Sequence, residues 1–137
     1  MKVFASPLVI GPCRYRVMQA RSTRERMQGL CNMNDGSVAL VISFPFRFRW
    51  AIWMWKISTP LDLVWMDRGH IVGVTERPSP HRWSDQWRMS FPPQKVDAVL
   101  EIPGRHASRH GDCFLSFVVE QWWHAEEKSS VEGPLLS

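Results

Sequence analysis

The chain lacks the motifs that would assign it to a known class of enzyme. G-x-S-x-G, Walker, G-x-G-x-x-G and H-E-x-x-H patterns are all missing from its 137 residues, so no standard nucleophile, phosphate cradle or zinc-protease site is indicated. Its three cysteines are an odd number without a C-x-x-C pair, which argues against a disulfide framework and a zinc knuckle. The sequence therefore favours a protein without catalysis and without a cofactor, although an unrecognised catalytic site stays open.

Long apolar runs and blocks of like charge are also missing. The most apolar stretch, residues 38–55, is interrupted by Pro45, Arg47 and Arg49, whereas a transmembrane helix needs about 20 nearly uninterrupted apolar residues. The N-terminal residues carry no convincing signal-peptide cleavage site. We therefore expect no membrane span, and a location in the cytoplasm or within a larger particle.

The composition fits one small domain followed by a tail. Apolar residues make up 45% of the chain, and this length holds one core more readily than two. Glutamate, serine, glycine and proline dominate the end of the chain, which is typical of disorder. The prediction is a single β-rich domain over residues 1–124 and a disordered tail over residues 125–137.

The hydrophobic pattern predicts strands along most of the chain. One helix signal stands out, because Ser22 and Glu25 form a capping box in front of a short helix near residues 23–29. Residues 61–66 and 71–74 flank a turn and predict a hairpin. Further strands are predicted at residues 38–44, 46–50, 96–102 and 113–119. The fold class is mainly β (β-rich α+β), with a small barrel-like or sandwich-like sheet and one short helix.

Several motifs follow one another in the order typical of a known family. They are Arg26-Met27-Gln28-Gly29-Leu30, Trp53-Met54, Pro60-Leu61-Asp62, Val99-Leu100-Glu101-Ile102-Pro103-Gly104 and Gly111-Asp112. Over residues 15–118 the sequence resembles the domain of unknown function 192 family. The resemblance implies a small, mostly β protein with a barrel-like or sandwich-like sheet and a short helix, and it implies no established activity. Cys31 and Trp55-Lys56-Ile57 depart from the family pattern of Met and Lys-Asn-Thr, so a binding role of those polar residues does not carry over.

Three charged residues are embedded in apolar sequence. Arg26, Asp62 and Glu101 are predicted to form a structural polar cluster, because a buried carboxylate needs a hydrogen-bond donor and arginine is its usual partner. Catalysis by the two carboxylates is the alternative interpretation.

Residues 46–56 alternate aromatic and basic side chains. We predict a binding surface or interface made of Arg47, Arg49, Trp50, Trp53, Trp55, Trp83 and Trp87. Stacking of single-stranded bases or of sugars would use the same residue types, but a net charge of +4 is small for a nucleic-acid partner.

A further group has the residue types of metal ligands. His106, His110, Asp112 and Cys113 lie close together, but Pro103, Gly104 and Gly111 argue against the helix that would align the two histidines. No metal site is predicted.

The favoured function is that of an accessory protein acting through protein–protein interaction, self-association or structural assembly, for example within a virion. The alternative is a small-molecule or carbohydrate binding module, or an unrecognised weak hydrolase, with a pocket near Trp53, Asp62 and Trp83.

Overall fold

A computed structural model describes residues 2–28, 36–53, 59–77 and 88–136 of the chain. Its helices are α1 (Thr23–Gln28), α2 (His106–His110) and α3 (Asp112–Leu136). Its strands are β1 (Lys2–Val3), β2 (Leu8–Ile10), β3 (Cys13–Ala20), β4 (Val38–Phe48), β5 (Ile52–Trp53), β6 (Leu61–Asp67), β7 (His70–Arg77), β8 (Met89–Ser90) and β9 (Val96–Pro103).

The strands form one large mixed sheet and one small one. The large sheet has the order β1-β3-β4-β9-β6-β7, with β2 paired to β3, and β5 pairs separately with β8. Strands β3 and β4 are parallel, and their connection carries α1; the other pairs are antiparallel. The mainly β fold with a short helix is therefore confirmed. The expectation of a barrel is wrong because the sheet stays open, and α3 covers one of its faces.

Two tight turns join antiparallel strands, and one of them confirms the hairpin predicted over residues 61–74. In the β6–β7 hairpin Asp67 pairs with His70, and the two residues between them, Arg68 and Gly69, have φ values of 50° and 81°. Positive φ at both positions matches the twist that a two-residue hairpin needs. Gly11, with φ of 56°, turns β2 into β3.

Strand β4 includes Pro45, whereas the sequence predicts that a strand ends before this proline. Its pairing with β9 skips from Ser43 to Phe48, and Pro45 lies in the skipped stretch. Proline has no N–H to donate to a ladder, so it is tolerated where the pairing is interrupted. The two strands predicted at residues 38–44 and 46–50 thus belong to one irregular strand.

Each face of the large sheet carries its own core. The helix face, which α3 covers, contains Tyr15, Val17, Ala39, Val41, Val64, Met66, Leu100 and Ile102. The opposite face contains Ala20, Leu40, Ile42, Leu61, Leu63, Trp65 and Val99. Both sets are almost completely buried, as expected for a sheet that is covered on its two sides.

Helix α3 replaces the strand expected at residues 113–119. Leu115, Val119, Trp122 and Glu126 are buried at helical spacing along one side of α3. The β-branched and aromatic residues of this segment resemble a strand, but packing against the helix face decides its structure. Residues 125–136, which the composition assigns to a disordered tail, continue α3. No helix in the described ranges is both long and apolar enough to cross a membrane.

Candidate functional site

A group of large apolar side chains is exposed at the outer end of β4 and beside β5 and β8. We call it the aromatic patch. Its members are between 44% and 59% exposed: Phe46, Phe48, Trp53, Met89 and Phe91. Soluble proteins rarely leave such side chains grouped on the surface unless the surface binds something.

Ring contacts hold the first part of the aromatic patch in place. Phe46 and Phe48 are 6.2 Å apart, and their rings lie 5.0 Å and 5.5 Å from that of Trp50. Trp50 in turn stacks on Phe44 at 5.0 Å, and its indole N–H donates to the Phe46 carbonyl oxygen at 2.9 Å. Trp50 and Phe44 also pack against the opposite-face core, which anchors the exposed rings to the sheet.

The two arginines between these aromatic residues, Arg47 and Arg49, form hydrogen bonds with other parts of the chain. Arg47 donates to both carboxylate oxygens of Asp67, at 2.8 Å and 2.9 Å. These hydrogen bonds lower the pKa of Asp67 and raise that of Arg47. Arg49 donates to the carbonyl oxygen of Pro92 at 3.0 Å. The arginines therefore fasten the segment to β6 and to the residues after β8.

The small sheet of β5 and β8 carries the second part of the aromatic patch. Trp53 pairs with Met89 and Ile52 with Ser90, and Phe91 follows directly. Ile52 packs against the opposite-face core, while Trp53 points outward and is 44% exposed. Trp55, Trp83 and Trp87, which the sequence also assigns to this surface, lie outside the described residues.

Asp62 lies on the helix face and acts as the N-terminal acceptor of α2. Its Oδ2 accepts from the backbone N–H groups of His106, at 2.8 Å, and Ala107, at 3.3 Å. Burial raises the pKa of Asp62 to about 6, although the two N–H groups act in the other direction. The expectation that residues 106–110 are not helical is wrong, because this acceptor comes from a strand that is distant in sequence.

Tyr15 and His106 form a second buried contact on the helix face, one that sequence reasoning missed. The Tyr15 hydroxyl is 2.5 Å from His106 Nε2 and donates to the Pro103 carbonyl oxygen at 2.7 Å. Burial lowers the pKa of His106 and raises that of Tyr15. Gly104, with φ of 121°, is required here, since a Cβ would come within 2.8 Å of His106 Nε2.

His110 does not share a site with His106. His110 is exposed, and its ring contacts Phe114 at 5.2 Å, while His106 is buried beside Tyr15. Among the described residues no group of three His, Cys, Asp or Glu side chains could hold a metal ion.

Glu101 lies on the opposite face from Asp62. It pairs with Leu40 and Leu63, whose side chains belong to the opposite-face core. Glu101 is 3% exposed, and its Oε2 has no hydrogen-bond partner within the described part of the chain. Burial raises its pKa to about 7.

Arg26 meets neither carboxylate in the described contacts. It donates to the carbonyl oxygens of Arg21 and Ser43 and to the Thr23 hydroxyl, so it ties α1 to the ends of β3 and β4. The structure thus separates the three residues that the sequence groups into one polar cluster.

Asp62 also borders a cleft of about 210 Å³. The cleft is lined by Leu61, Asp62, Glu76, Arg77, Gly104, Arg105 and Ser108, and the Ser108 hydroxyl donates to Glu76 at 2.7 Å. Trp53 is not part of this lining. The described structure therefore does not join Trp53 and Asp62 in one pocket.

The fold and its exposed surface define a small, mainly β protein, in which an open mixed sheet is backed by a C-terminal helix. The profile of domain of unknown function 192 (uncharacterized ACR) matches residues 10–112, and the chain belongs to this family. No curated protein matches the sequence.

Two solved structures share the fold. A candidate transcription regulator from Sinorhizobium meliloti 1021 is 22% identical, with a TM-score of 0.61 over 77% of this chain and 83% of that one. A protein of unknown function from Novosphingobium aromaticivorans DSM 12444 is 19% identical, with a TM-score of 0.62 over 79% of this chain and 88% of that one. At these identities the likeness concerns the fold alone.

Proposed function

We propose that this protein binds a partner protein through the aromatic patch. The observation that carries the proposal is the presence of five large apolar side chains, each at least 44% exposed, on two segments that both pack against the opposite-face core. Aromatic side chains and methionine are enriched in the centres of protein interfaces, where their burial supplies most of the binding free energy.

The patch is already arranged for binding in the free protein. Trp50 contacts both Phe46 and Phe48, and Arg49 ties the same segment to Pro92. Side chains that are fixed before association lose little conformational entropy when they bind. This fixation supports a binding role more than an incidental exposure of apolar residues.

The charge around the aromatic patch indicates the chemistry of the partner. Arg49, Arg88 and Lys95 are exposed in the segments that carry the patch, and the whole chain has a net charge of +4. Complementary charge speeds association, whereas like charges on two copies repel each other. The preferred partner is therefore a different protein with apolar and acidic side chains, and docking on a larger assembly would use the same surface.

Photo-cross-linking tests this proposal. A benzophenone amino acid placed at Phe48 in the full chain should capture one defined acidic protein from a native extract, identified by mass spectrometry. The same probe at Phe117, which is 62% exposed on α3, is the matched control and should not capture it. Adding Phe46→Ser and Arg49→Ser to the Phe48 probe protein should abolish the product.

Raising the salt concentration should reduce the yield of the cross-linked product, because complementary charges are screened. Capture of the same proteins from both positions would contradict the proposal. Cross-linking at Phe48 to a second copy of this chain would also contradict it and would assign the patch to self-association.

A further inference from the structure

Met89 is the methionine of the aromatic patch, and its thioether is open to solvent. Its side chain is 50% exposed, whereas Met66 is 1% exposed and Met18 is half-buried against the opposite-face core. Among the methionines whose side chains the structure describes, Met89 is therefore the one that a small oxidant in solution reaches most easily. Methionine is oxidised to the sulfoxide, and reductases reverse the reaction.

The alternation of exposure along β8 places Met89 on the outer side of the small sheet. Ser90 is 6% exposed, while Met89 before it and Phe91 after it are 50% and 55% exposed. Neighbouring residues of an extended chain point to opposite sides, so Ser90 faces inward and the two apolar side chains face outward. The Met89 sulfur therefore lies on the surface that makes the proposed contact.

Trp53 lies directly across from Met89 in the pairing of β5 with β8. The side chains of such an opposed pair project from the same face of the sheet, with their Cβ atoms about 5 Å apart. Met89 thus has exposed Trp53 across the sheet and exposed Phe91 two residues along the chain. This arrangement puts the thioether in the middle of the second part of the aromatic patch.

The sulfoxide differs from the thioether by one strongly polar oxygen. In the free protein this oxygen is solvated, because half of the Met89 side chain is exposed. Under an apolar partner surface the same oxygen loses its water and needs a hydrogen-bond donor that an apolar contact does not provide. Oxidation of Met89 therefore weakens association and leaves the fold nearly unchanged.

We propose that reversible oxidation of Met89 to methionine sulfoxide switches off partner binding at the aromatic patch. The oxidant is a peroxide. The Met89 sulfur attacks one peroxide oxygen, the O–O bond breaks and an S–O bond forms, and the other oxygen leaves as water after it takes up the proton of the transferred oxygen. Sulfur loses two electrons and the peroxide gains them. The inference rests on the proposed function, since it names the regulation of the same surface.

Peptide mapping tests the modification itself. The full chain is treated with dilute hydrogen peroxide, the oxidant is destroyed with catalase, and the protein is digested with trypsin. Cleavage after Arg88 and Lys95 isolates Met89 in one peptide, and cleavage after Lys56 and Arg68 isolates Met66, the buried control. The Met89 peptide should gain one oxygen at least about ten times faster than the Met66 peptide. Equal rates would overturn the proposal.

Photo-cross-linking from Phe48 tests the effect on binding. Peroxide treatment before the native extract is added should lower capture of the acidic partner at least about fivefold, and methionine sulfoxide reductases should restore it. Met89→Leu keeps an apolar side chain without sulfur and is the matched control, so its capture should be the same before and after treatment. Met89→Gln places a polar group at this position and should lower capture without any oxidant.

The outcomes separate this inference from the proposed function. Equal capture by the treated and untreated wild type, an equal loss in Met89→Leu, or unchanged capture by Met89→Gln would overturn the switch and leave the proposed function in place. An untreated wild type that captures no partner would overturn the proposed function, and the switch would fall with it. Both variants change a half-exposed side chain, so each should fold like the wild type.

Discussion

The buried Asp62 and Tyr15 on the helix face of the large sheet differ in their hydrogen bonding from the buried Glu101 on the opposite face. On the helix face Asp62 accepts two backbone N–H groups of α2, and the Tyr15 hydroxyl has both a carbonyl oxygen and a histidine beside it. On the opposite face Glu101 is buried with an oxygen that has no partner within the described residues. The aromatic patch lies outside this opposite face, anchored through Trp50.

From this difference we infer a structural role for Asp62 and Tyr15 on the helix face and a binding role for the surface on the other side. On the helix face Asp62 and Tyr15 have hydrogen-bond partners from α2 and from the end of β9, so we expect both to contribute to stability, whereas Gln19 on the same face keeps its Oε1 without a partner within the described residues. The opposite side combines Glu101, whose Oε2 has no partner within the described residues, with exposed aromatic side chains, and both features cost free energy in the isolated protein. Features of this kind are typical of a surface that serves binding, which agrees with the proposed function.

The largest expected effect is on the helix face. Asp62→Ala leaves the N–H groups of His106 and Ala107 without their acceptor and should lower the free energy of unfolding by about 3 kcal/mol. Urea unfolding followed by circular dichroism measures this change. Asp97→Ala is the control, because Asp97 accepts an exposed N–H from Arg68 and should cost less than about 1 kcal/mol. Equal losses in the two variants would remove the structural role assigned to Asp62.

Replacing Glu101 should increase the free energy of unfolding, whereas replacing Asp62 decreases it. Its pKa is about 7 in the folded protein against 4.5 for an ordinary glutamate, so the folded state holds a proton that the unfolded state releases between these pH values. The stability that this proton provides is complete below pH 4.5 and is lost as the pH rises through 7. Glu101→Gln should therefore raise the free energy of unfolding at pH 8 by up to about 3 kcal/mol.

The same substitution should matter little at pH 5, where folded Glu101 is already protonated. Urea midpoints of the wild type and Glu101→Gln at pH 5 and pH 8 give both values. A variant that is less stable than the wild type at pH 8 would show that Glu101 is well paired, and the contrast between the two faces would disappear.

Tyr15→Phe should lower the free energy of unfolding by a smaller amount. The substitution keeps the ring on the helix face and removes only the hydroxyl that donates to Pro103, so it should cost about 1 kcal/mol. Thermal unfolding measures the change. A loss near zero would mean that the Tyr15–His106 contact is not part of the helix-face framework.

Substitutions in the aromatic patch should have the smallest effect on the free energy of unfolding. Phe46→Ser and Phe48→Ser remove side chains that are more than half exposed, so each should change the free energy of unfolding by less than about 1 kcal/mol. Leu115→Ala, at a fully buried position under α3, is the contrast and should cost 2 kcal/mol or more, about the usual value for a core leucine. Comparable losses at the exposed and the buried positions would make the patch a structural element.

Local patterns predicted the elements whose determinants are close in sequence. The capping box at Ser22 is present, with its hydroxyl oxygen accepting from the Glu25 N–H at 3.1 Å, and the β6–β7 hairpin has its expected turn. Helix α2 could not be predicted, because its acceptor is Asp62, far away in the sequence. Helix α3 was missed because its apolar residues have strand propensity, although the spacing of Leu115 and Val119 was a usable signal.

The candidate sites depend still more on tertiary structure. That Asp62 and Glu101 lie on opposite faces follows from strand register, in which Asp62 pairs with Ile102 and Glu101 with Leu63. The alternation of aromatic and basic residues drew attention to the segment from residue 46, in which the structure exposes Phe46 and Phe48; the binding role predicted for this segment stays a prediction. Met89 and Phe91 were missed because only the pairing of β5 with β8 brings them beside Trp53.

The most direct test of the central claim compares photo-cross-linking from Phe48 with that from Phe117 in the same native extract. The account predicts one acidic protein captured from Phe48, lost when Phe46 and Arg49 are replaced by serine, and absent from the Phe117 probe. Equal capture from both positions, or capture that survives the two replacements, would contradict it.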